Sequence, residues 1–290
     1  MGILSTRVLN VLTPLGALLR LSRPANILMI GAAVSLGRYL GSGGIREANL
    51  IYASIAAGLL GAAGNIMNDL VDLESDVINH PERGLPSQRV SIQKAHIFLL
   101  LCLILSLMAL ATLSPIHWIV YGFSALLLVA YNWILERTPL FGNLAVSLLV
   151  GLAIVFGALQ VGLSSIVLVA GGFAFFTTLA REIVKDVADM EGDRRSGFKT
   201  LPLSIGSGRS QLIVNTVLIG IVATSILPFL LLEFGGLYLL VVICTNIFLL
   251  LSVQSQESEL FSAERVSTTL KWAMVTGMFA LVLAESVPSP

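Results

Sequence analysis

Residues 65–76 read NIMNDLVDLESD and follow directly on a long apolar segment. A helix, at about 100° per residue, would gather the polar positions of this stretch on one face. Those positions are Asn65, Asn68, Asp69, Asp72 and Asp76. Carboxylates packed so closely repel one another unless a cation lies among them. Oxygen ligands suit a hard divalent ion, and Mg²⁺ commonly shares its coordination sphere with substrate phosphates. The stretch therefore predicts the polar end of a membrane helix that carries metal-binding side chains.

A second copy of this motif lies at residues 186–193, which read DVADMEGD. Its aspartates Asp186, Asp189 and Asp193 repeat the intervals of three and four residues, at a constant offset of 117 (186 − 69) from the first copy. A Leu-Pro pair follows each copy, at 85–86 and at 201–202. A single acidic cluster is typical of a solvated loop, but a repeated cluster with a matching tail indicates a paired functional site.

The composition of this 290-residue chain is that of a membrane protein. Hydrophobic residues make up 56% and charged residues only 12%, with a mean hydropathy of +0.91. Soluble domains carry about 25% charged residues, so a water-soluble fold of this size would lack the polar surface to cover itself. We therefore predict an all-α, polytopic membrane protein built as a single domain. The formal net charge of zero indicates nothing about partners.

Nine apolar segments have about 20 residues, the length that crosses the bilayer core. They lie near 24–41, 48–69, 93–113, 115–135, 142–160, 164–186, 210–232, 236–254 and 266–285. We expect two four-helix pseudo-repeats, 24–135 and 142–254, followed by the final helix. An amphipathic helix at 5–22 is predicted to lie in the membrane interface ahead of the first span. The tight junctions near 114 and 235 leave eight or ten spans open.

Basic residues are distributed unevenly between the two sides that this topology defines. Of the 17 lysines and arginines, only Arg38 and Arg46 fall on the side opposite the amino terminus. Because cytoplasmic loops carry the excess of positive charge, we predict a cell-membrane protein with a cytoplasmic amino terminus. Both acidic motifs then face the cytoplasm, and the long loops 70–92 and 187–209 are expected to cap the site.

Two acidic helix ends of this kind predict a site where two or more Mg²⁺ ions hold a diphosphate. The cations neutralise the leaving group and polarise its ester bond, so that the carbon bonded to it can ionise. The candidate metal ligands are Asn68, Asp69, Asp72, Asp76, Asp186, Asp189 and Asp193. An apolar cavity beside them would accommodate a long isoprenoid chain within the bilayer.

Basic residues near both motifs are candidates for the anion site. They are Arg83 and Arg89 after the first motif, Arg194, Arg195 and Lys199 after the second, and Arg23 at the start of the first span. For Arg194 and Arg195 the favoured interpretation is the ordinary positive charge of a cytoplasmic loop. Ionisable residues inside membrane spans are functional candidates by default, which applies to Arg181, Glu182 and Lys185. The other interpretation of these three is interhelical ion pairing or snorkelling of the side chains to the membrane interface. Tyr131, near the end of the fourth span, is placed to hydrogen-bond a phosphate or to lie in the interfacial belt.

The motifs resemble those of the UbiA superfamily of intramembrane prenyltransferases. The resemblance covers the paired runs 68–76 and 189–193 and three shorter matches. These are Arg23-Pro24-x-Asn26, Tyr131 with Gly142-Asn143, and Gly197-x-Lys199-Thr200-Leu201-Pro202. It implies a nine-helix bundle with a cytoplasmic Mg²⁺–diphosphate site. Within the superfamily, residues 181–193 are similar to the archaeal digeranylgeranylglyceryl phosphate synthases, which alkylate geranylgeranylglyceryl phosphate with geranylgeranyl diphosphate.

The resemblance implies roles at the matching positions. Mg²⁺ would be held by Asn68, Asp72, Asp189 and Asp193, with Asp76 and Asp186 in support. Diphosphate would be contacted by Arg83 and Lys199. The full catalytic set predicted is Asp72, Asp189, Lys199, Arg181 and Tyr131. The full substrate-binding set predicted is Arg23, Asn26, Arg83, Arg89, Lys185, Lys199, Asn132 and Arg137.

Three positions depart from the family pattern. The usual proline after Arg83 is Gly84, the glycine near position 88 is Gln88, and the basic residue often found before Arg137 is Glu136. These departures put the shape of the first loop and the partner of Arg137 in doubt. They leave the reaction class unaffected.

The leading prediction is Mg²⁺-dependent transfer of a geranylgeranyl group to geranylgeranylglyceryl phosphate, a step of archaeal phospholipid biosynthesis. An aromatic acceptor, as in 4-hydroxybenzoate polyprenyltransferases, stays open. A phosphate-bearing acceptor would use the cations Arg23, Arg181 and Lys185, whereas a small aromatic carboxylate needs only one arginine. A CDP-alcohol phosphotransferase is disfavoured because neither motif has Asp-Gly at its second aspartate or an Ala-Arg pair after it. A cation transporter would place its charges near mid-membrane. Nothing in the sequence indicates nucleic-acid binding.

Overall fold

The computed structural model describes residues 16–42, 48–79, 81–195, 197–232, 234–257 and 263–284, and its regular elements there are all helical. In chain order they are α1 (Pro24–Ser42), α2 (Ala48–Val71), α3 (Leu73–Asn79), α4 (Ile92–Leu110), α5 (Pro115–Trp133), α6 (Phe141–Ala158), α7 (Ser165–Arg195), α8 (Leu201–Ile205), α9 (Ser207–Thr224), α10 (Leu227–Leu231), α11 (Gly236–Glu257) and α12 (Ala263–Ala284). A 3-10 turn, Leu135–Arg137, precedes α6. The predicted all-α fold class is confirmed. Of the amphipathic helix predicted at 5–22, residues 5–15 lie outside the described residues, and residues 16–21 are helical.

The membrane character predicted from composition is borne out by the helices. Eight of those described are long and apolar enough to cross a bilayer, by length and composition alone. The nine predicted spans include α1 as well. This helix has 19 residues, sufficient for a hydrocarbon core of about 30 Å, but it contains Arg38 and is not among the eight.

The two junctions left open by the sequence are both breaks in the helices. At the first, α4 ends at Leu110 and α5 begins at Pro115, a residue type that favours the first helical position. At the second, α10 ends at Leu231 and α11 begins at Gly236. A further break lies inside the segment predicted as 210–232, which forms α9 and the short α10, with Pro228 in the first turn of α10. Proline disfavours helix in the residue before it and lacks the N–H that would continue a helix.

Helix α7 is the largest departure from the predicted boundaries. Hydropathy predicts the end of the sixth span at residue 186, but α7 has 31 residues and continues to Arg195. Hydropathy detects where apolar character stops, which need not be where helical bonding stops. An exposed Glu191–Arg195 ion pair, four residues apart, supports the polar extension. The predicted loop 187–209 is therefore wrong for residues 187–195. Similarly, α3 lies inside the predicted loop 70–92.

The end of α7 is fixed by a glycine. Gly197 has φ +75°, in the left-handed region that favours glycine. The Gly197 N–H donates to the Arg194 carbonyl (3.3 Å) and the Phe198 N–H donates to the Asp193 carbonyl (2.9 Å). This pair of bonds is the Schellman arrangement, which satisfies the last carbonyls of a helix. The chain therefore turns sharply directly after the second motif.

The helices form two compact units. The first contains the described residues of Met1–Ala32 and Glu47–Trp133, and the second contains those of Ala33–Arg46 and Ile134–Pro290. In the first unit, α2 packs against α4 and α5. Its core combines Ala17 and Leu21 from the helical residues 16–21, Ala62, Ala63 and Ile66 from α2, and Cys102 from α4. The predicted pseudo-repeats 24–135 and 142–254 stay a prediction.

In the second unit, α7 packs against α6, α8, α9 and α12. Glycines allow the closest approaches between helices. A Cβ at Gly37 would overlap the carbonyl of Ile154, and a Cβ at Gly157 would overlap that of Val34. A Cβ at Gly151, on α6, would lie 2.9 Å from the Gly171 carbonyl of α7. Small residues of this kind let membrane helices pack backbone to backbone, and they fix α6 firmly against α7.

Candidate active site

The first acidic motif keeps one polar face although the helix is interrupted. Helix α2 ends at Val71 and α3 begins at Leu73. The Asp72 N–H still donates to the Asn68 carbonyl (2.9 Å), and the Asp76 N–H donates to the Asp72 carbonyl (2.8 Å). This four-residue bonding pattern carries the helical register across the break. The face predicted from spacing is therefore present in the first unit.

Arg23 bonds to two adjacent residues of the motif, Asn68 and Asp69. Its guanidinium forms an ion pair with Asp69 (Nη2 to Oδ1, 2.7 Å) and donates to Asn68 Oδ1 (3.3 Å). Asn68 in turn donates to Asp72 Oδ2 (Nδ2 to Oδ2, 2.8 Å). Asp69 is 5% exposed, and a carboxylate so buried requires a paired cation. Arg23 was predicted to bind substrate, and in the structure its guanidinium is bonded to side chains of the motif.

Arg83 forms an ion pair with Asp76, the last aspartate of the motif. Its Nη1 lies 2.8 Å from both carboxylate oxygens of Asp76, which is buried. The following turn closes through a bond from the Val90 N–H to the Gly84 carbonyl (3.0 Å). Gln88 has φ +59° in this turn. The left-handed conformation costs Gln88 more conformational free energy than it would cost the glycine that the family has near this position.

The second motif projects from the end of α7. Asp186 accepts a hydrogen bond from Asn143 (Nδ2 to Oδ2, 2.8 Å), and Asn143 is 6% exposed in the first turn of α6. Asp189, one turn further along α7, is exposed, and Asp193 is half-buried. The close packing of α6 on α7 therefore fixes one aspartate of the motif through a buried amide and leaves the next one accessible.

Arg181, Glu182 and Lys185 form an ion-paired cluster on α7. The buried Glu182 receives Arg181 Nη1 at 2.6 Å through Oε1 and Lys185 Nζ at 2.8 Å through Oε2. All three belong to α7, so these two ion pairs lie within one helix. Two cations share one carboxylate, which leaves the cluster with a formal charge of +1.

The turn after α7 presents Lys199. The Lys199 N–H donates to the Arg137 carbonyl (3.2 Å). The Arg137 guanidinium lies over the Phe198 ring, 5.2 Å from its centroid, a cation–π geometry. The partner of Arg137, uncertain from the sequence, is thus Phe198. Lys199 itself is exposed.

The remaining predicted substrate residues are less closely tied to the motifs. Asn26 and Arg89 are exposed, and Tyr131 is half-buried. Asn132 is buried near the end of α5 and donates to the Leu128 carbonyl of its own helix (2.8 Å). Asn143 was absent from the predicted site residues, although it stands in the matched pair Gly142-Asn143. The sequence signal for Asn143 was a polar amide side chain at the start of an apolar segment.

The donor set fits a hard divalent cation in part. Amide and carboxylate oxygens are the ligands that Mg²⁺ prefers. Asp69 and Asp76, however, are already paired with arginines, so the metal-binding candidates narrow to Asn68, Asp72 and the second motif. Among the described residues, no three His, Cys, Asp or Glu side chains gather into a ready metal-binding group. A metal at this site would need amide or phosphate oxygens as well.

The fold and the repeated motifs define a multi-pass helical membrane protein with two acidic helix ends, one in each unit. The chain belongs to the UbiA prenyltransferase family, whose sequence profile matches residues 28–275. It is therefore a prenyltransferase enzyme, and the family resemblance seen in the motifs is confirmed.

Similar curated proteins cover nearly the whole chain. One is the digeranylgeranylglyceryl phosphate synthase of Methanopyrus kandleri, 31% identical over 266 residues, which are 92% of this chain and 98% of that protein. The protein of the same name from Methanothermobacter thermautotrophicus is 33% identical over 265 residues, covering 89% and 92%.

Solved structures agree with this family. A structure from work on digeranylgeranylglyceryl phosphate synthase in membranes has a TM-score of 0.74 at 26% identity, covering 93% of this chain and 98% of that one. A UbiA homolog from Archaeoglobus fulgidus bound to GPP and Mg²⁺ has a TM-score of 0.73 at 18% identity, covering 93% and 100%. The second likeness shows a shared fold.

Proposed function

We propose that this prenyltransferase transfers a geranylgeranyl group from geranylgeranyl diphosphate to a hydroxyl of geranylgeranylglyceryl phosphate. The observation that carries the proposal is the near-full-length likeness to relatives named digeranylgeranylglyceryl phosphate synthase. The C–O bond to the diphosphate breaks, the acceptor hydroxyl oxygen bonds to the freed prenyl carbon, and the hydroxyl proton departs. The products are digeranylgeranylglyceryl phosphate and diphosphate.

The two acidic motifs are proposed to hold Mg²⁺ through Asn68, Asp72, Asp189 and Asp193. Bound Mg²⁺ neutralises the charge that develops on the departing diphosphate. The hydrogen bond from Asn68 to Asp72 orients both side chains before any cation arrives. Asp189 is accessible at its position on α7.

Arg83 and Lys199 are proposed to bind the diphosphate. Arg83 is held in place by both oxygens of Asp76, so its remaining guanidinium donors have a fixed direction. Lys199 is exposed directly after the turn at Gly197. A planar guanidinium and a point-like ammonium suit the oxygens of a diphosphate. The motifs are proposed to face the cytoplasm, in line with the distribution of lysines and arginines.

The test is a donor-by-acceptor matrix with the purified protein in lipid nanodiscs. The donor is geranylgeranyl diphosphate with Mg²⁺, and the acceptors are geranylgeranylglyceryl phosphate and 4-hydroxybenzoate. We expect product of the mass of digeranylgeranylglyceryl phosphate and no prenylated benzoate. Loss of product on chelation of Mg²⁺, with recovery on its return, is also expected. Product with the benzoate alone would overturn the choice of acceptor.

Isosteric variants test the metal-binding residues. Asp72→Asn and Asp189→Asn remove a charge at nearly constant volume, and each should lower kcat/KM by about a hundredfold or more, the scale of a lost charged group in an active site. The matched control is Glu191→Gln, because Glu191 is exposed on the same helix as Asp189 and its ion pair among the described residues is with Arg195. Its turnover should stay near wild type, since exposed pairs contribute about 0–1 kcal/mol. Equal losses in all three variants would contradict the assignment.

A further inference from the structure

The contact between α7 and α12 places a further cation beside the charged cluster of α7. The two helices pack in one core through Ile183 and Val184 of α7 and Leu270 and Ala273 of α12. Lys271 follows Leu270 directly and is exposed along this contact. Both helices are among those long and apolar enough to span the membrane.

Lys271 lies within electrostatic reach of the whole cluster. The charges of Arg181, Lys185 and Glu182 all act on its ammonium group. Glu182 already bonds Arg181 and Lys185 with its two oxygens. Within the part of the chain that the structure describes, Lys271 has no carboxylate in ion-pair contact. Asp186, one turn further along α7, also interacts with Lys185 and Glu182, and it accepts a hydrogen bond from Asn143. Three cations and two carboxylates therefore share this part of the second unit, which has a formal charge of +1.

Such an excess of positive charge is unfavourable without an anion. Like charges repel more strongly where apolar helices keep water away, and charged side chains inside membrane spans are costly and usually mark a functional site. The carboxylate that acts on Lys271 is that of Glu182, which already bonds two other cations. An anionic ligand would compensate the remaining positive charge.

We propose that Arg181, Lys185 and Lys271 bind the phosphate group of the lipid acceptor, with Lys271 as the residue that selects a phosphomonoester. This inference rests on the proposed function, because it names the site for the acceptor of that reaction. A phosphomonoester carries about −1.5 to −2 charges at pH 7, and three cations with a net positive charge would attract it. Arg181 offers a planar fork of donors to phosphate oxygens, and the two lysines add point charges.

The position of the cluster favours an acceptor that is itself a lipid. Lys271 and Arg181 lie within spanning helices, where a phosphate attached to an alkyl chain can remain in the bilayer while its charge is paired. Arg23, also considered for this role, is paired with Asp69. The donor diphosphate has separate proposed partners in Arg83 and Lys199.

The test compares acceptors with and without phosphate in Lys271→Gln. The KM for geranylgeranylglyceryl phosphate should rise about tenfold, the scale of one charge-assisted hydrogen bond. The KM for geranylgeranyl diphosphate should stay within twofold of wild type. With the phosphate-free acceptor geranylgeranylglycerol, the variant and wild type should have equal kcat/KM. Lys271→Arg should recover most of the acceptor affinity, which a merely structural role would not require.

Lys94→Gln is the matched control, because Lys94 is exposed in the first turn of α4, in the other unit. It should leave both KM values unchanged. The proposal is overturned if Lys271→Gln keeps the wild-type KM for the phosphorylated acceptor, or if the KM for the donor rises instead. It is also overturned if both acceptors lose affinity equally, because the effect would then not concern the phosphate.

A binding measurement separates this inference from the proposed function. Geranylgeranylglyceryl phosphate is titrated calorimetrically into wild type and Lys271→Gln in nanodiscs without donor. Weaker binding to the variant by about tenfold supports the phosphate site even if no prenylated product ever forms. Equal binding, together with normal product formation by wild type, removes the phosphate site and leaves the proposed function intact.

Discussion

Removal of the Asn143 amide should weaken the second motif by an amount that the structure allows to be worked out. Asn143 Nδ2 lies 2.8 Å from Asp186 Oδ2, and Asn143 is 6% exposed. A hydrogen bond to a charged group contributes about 1.5–3 kcal/mol, and a buried group that loses its partner pays its desolvation in full. At about 1.4 kcal/mol per tenfold change, Asn143→Ala should lower kcat/KM by roughly ten- to a hundredfold.

The assay is the rate of prenyl transfer as a function of Mg²⁺ concentration. Because Asp186 lies one turn before Asp189 on α7, a loosened Asp186 should also raise the Mg²⁺ concentration needed for half-maximal rate. The matched control is Asn246→Ala, which removes an amide of the same unit that donates to Ser225 Oγ (2.9 Å). It should lower thermal stability with an unchanged Mg²⁺ response. A wild-type Mg²⁺ response in Asn143→Ala, or equal losses of rate in both variants, would refute the reasoning.

Two further predictions concern the fold. Gly157→Ala should lower the thermal unfolding temperature in nanodiscs, because its Cβ would overlap the Val34 carbonyl and overpacking costs about 1–3 kcal/mol; Gly172→Ala, with nothing within 4 Å of the added carbon, should not lower it. Gln88→Gly should raise the same unfolding temperature, because glycine relieves the left-handed backbone at φ +59° and adds about 1 kcal/mol to the free energy of unfolding. Gln88→Ala keeps a Cβ and should not raise this temperature. An equal rise in Gln88→Ala would exclude backbone strain as the cause.

The sequence predicted the architecture well because membrane spans depend on local composition. The predicted segment 48–69 and the observed α2, Ala48–Val71, differ by two residues. Boundaries fail where polar residues continue a helix, as at α7, since hydropathy has no signal there. The break before Pro228 was likewise hidden inside an apolar run.

The site was predictable in its residue types and much less in its pairings. The spacing of Asp69, Asp72 and Asp76 gave the polar face of the first motif. The ion pair of Arg23 with Asp69 joins positions 46 residues apart, and such a contact depends on tertiary packing rather than on local pattern. The same holds for Asn143 with Asp186. The three charged residues on α7 were recognisable individually, but their sharing of Glu182 was visible only in three dimensions.

The length of α7 has a consequence for the depth at which the enzyme works. Its 31 residues extend about 46 Å at 1.5 Å per residue, whereas a hydrocarbon core of about 30 Å takes up about 20 residues. In a bilayer of that thickness about three turns of α7 would extend beyond the hydrocarbon core, and Asp186 and Asp193 lie on the turns near that end. We therefore expect the rate of prenyl transfer to depend on the thickness of the bilayer that surrounds the enzyme.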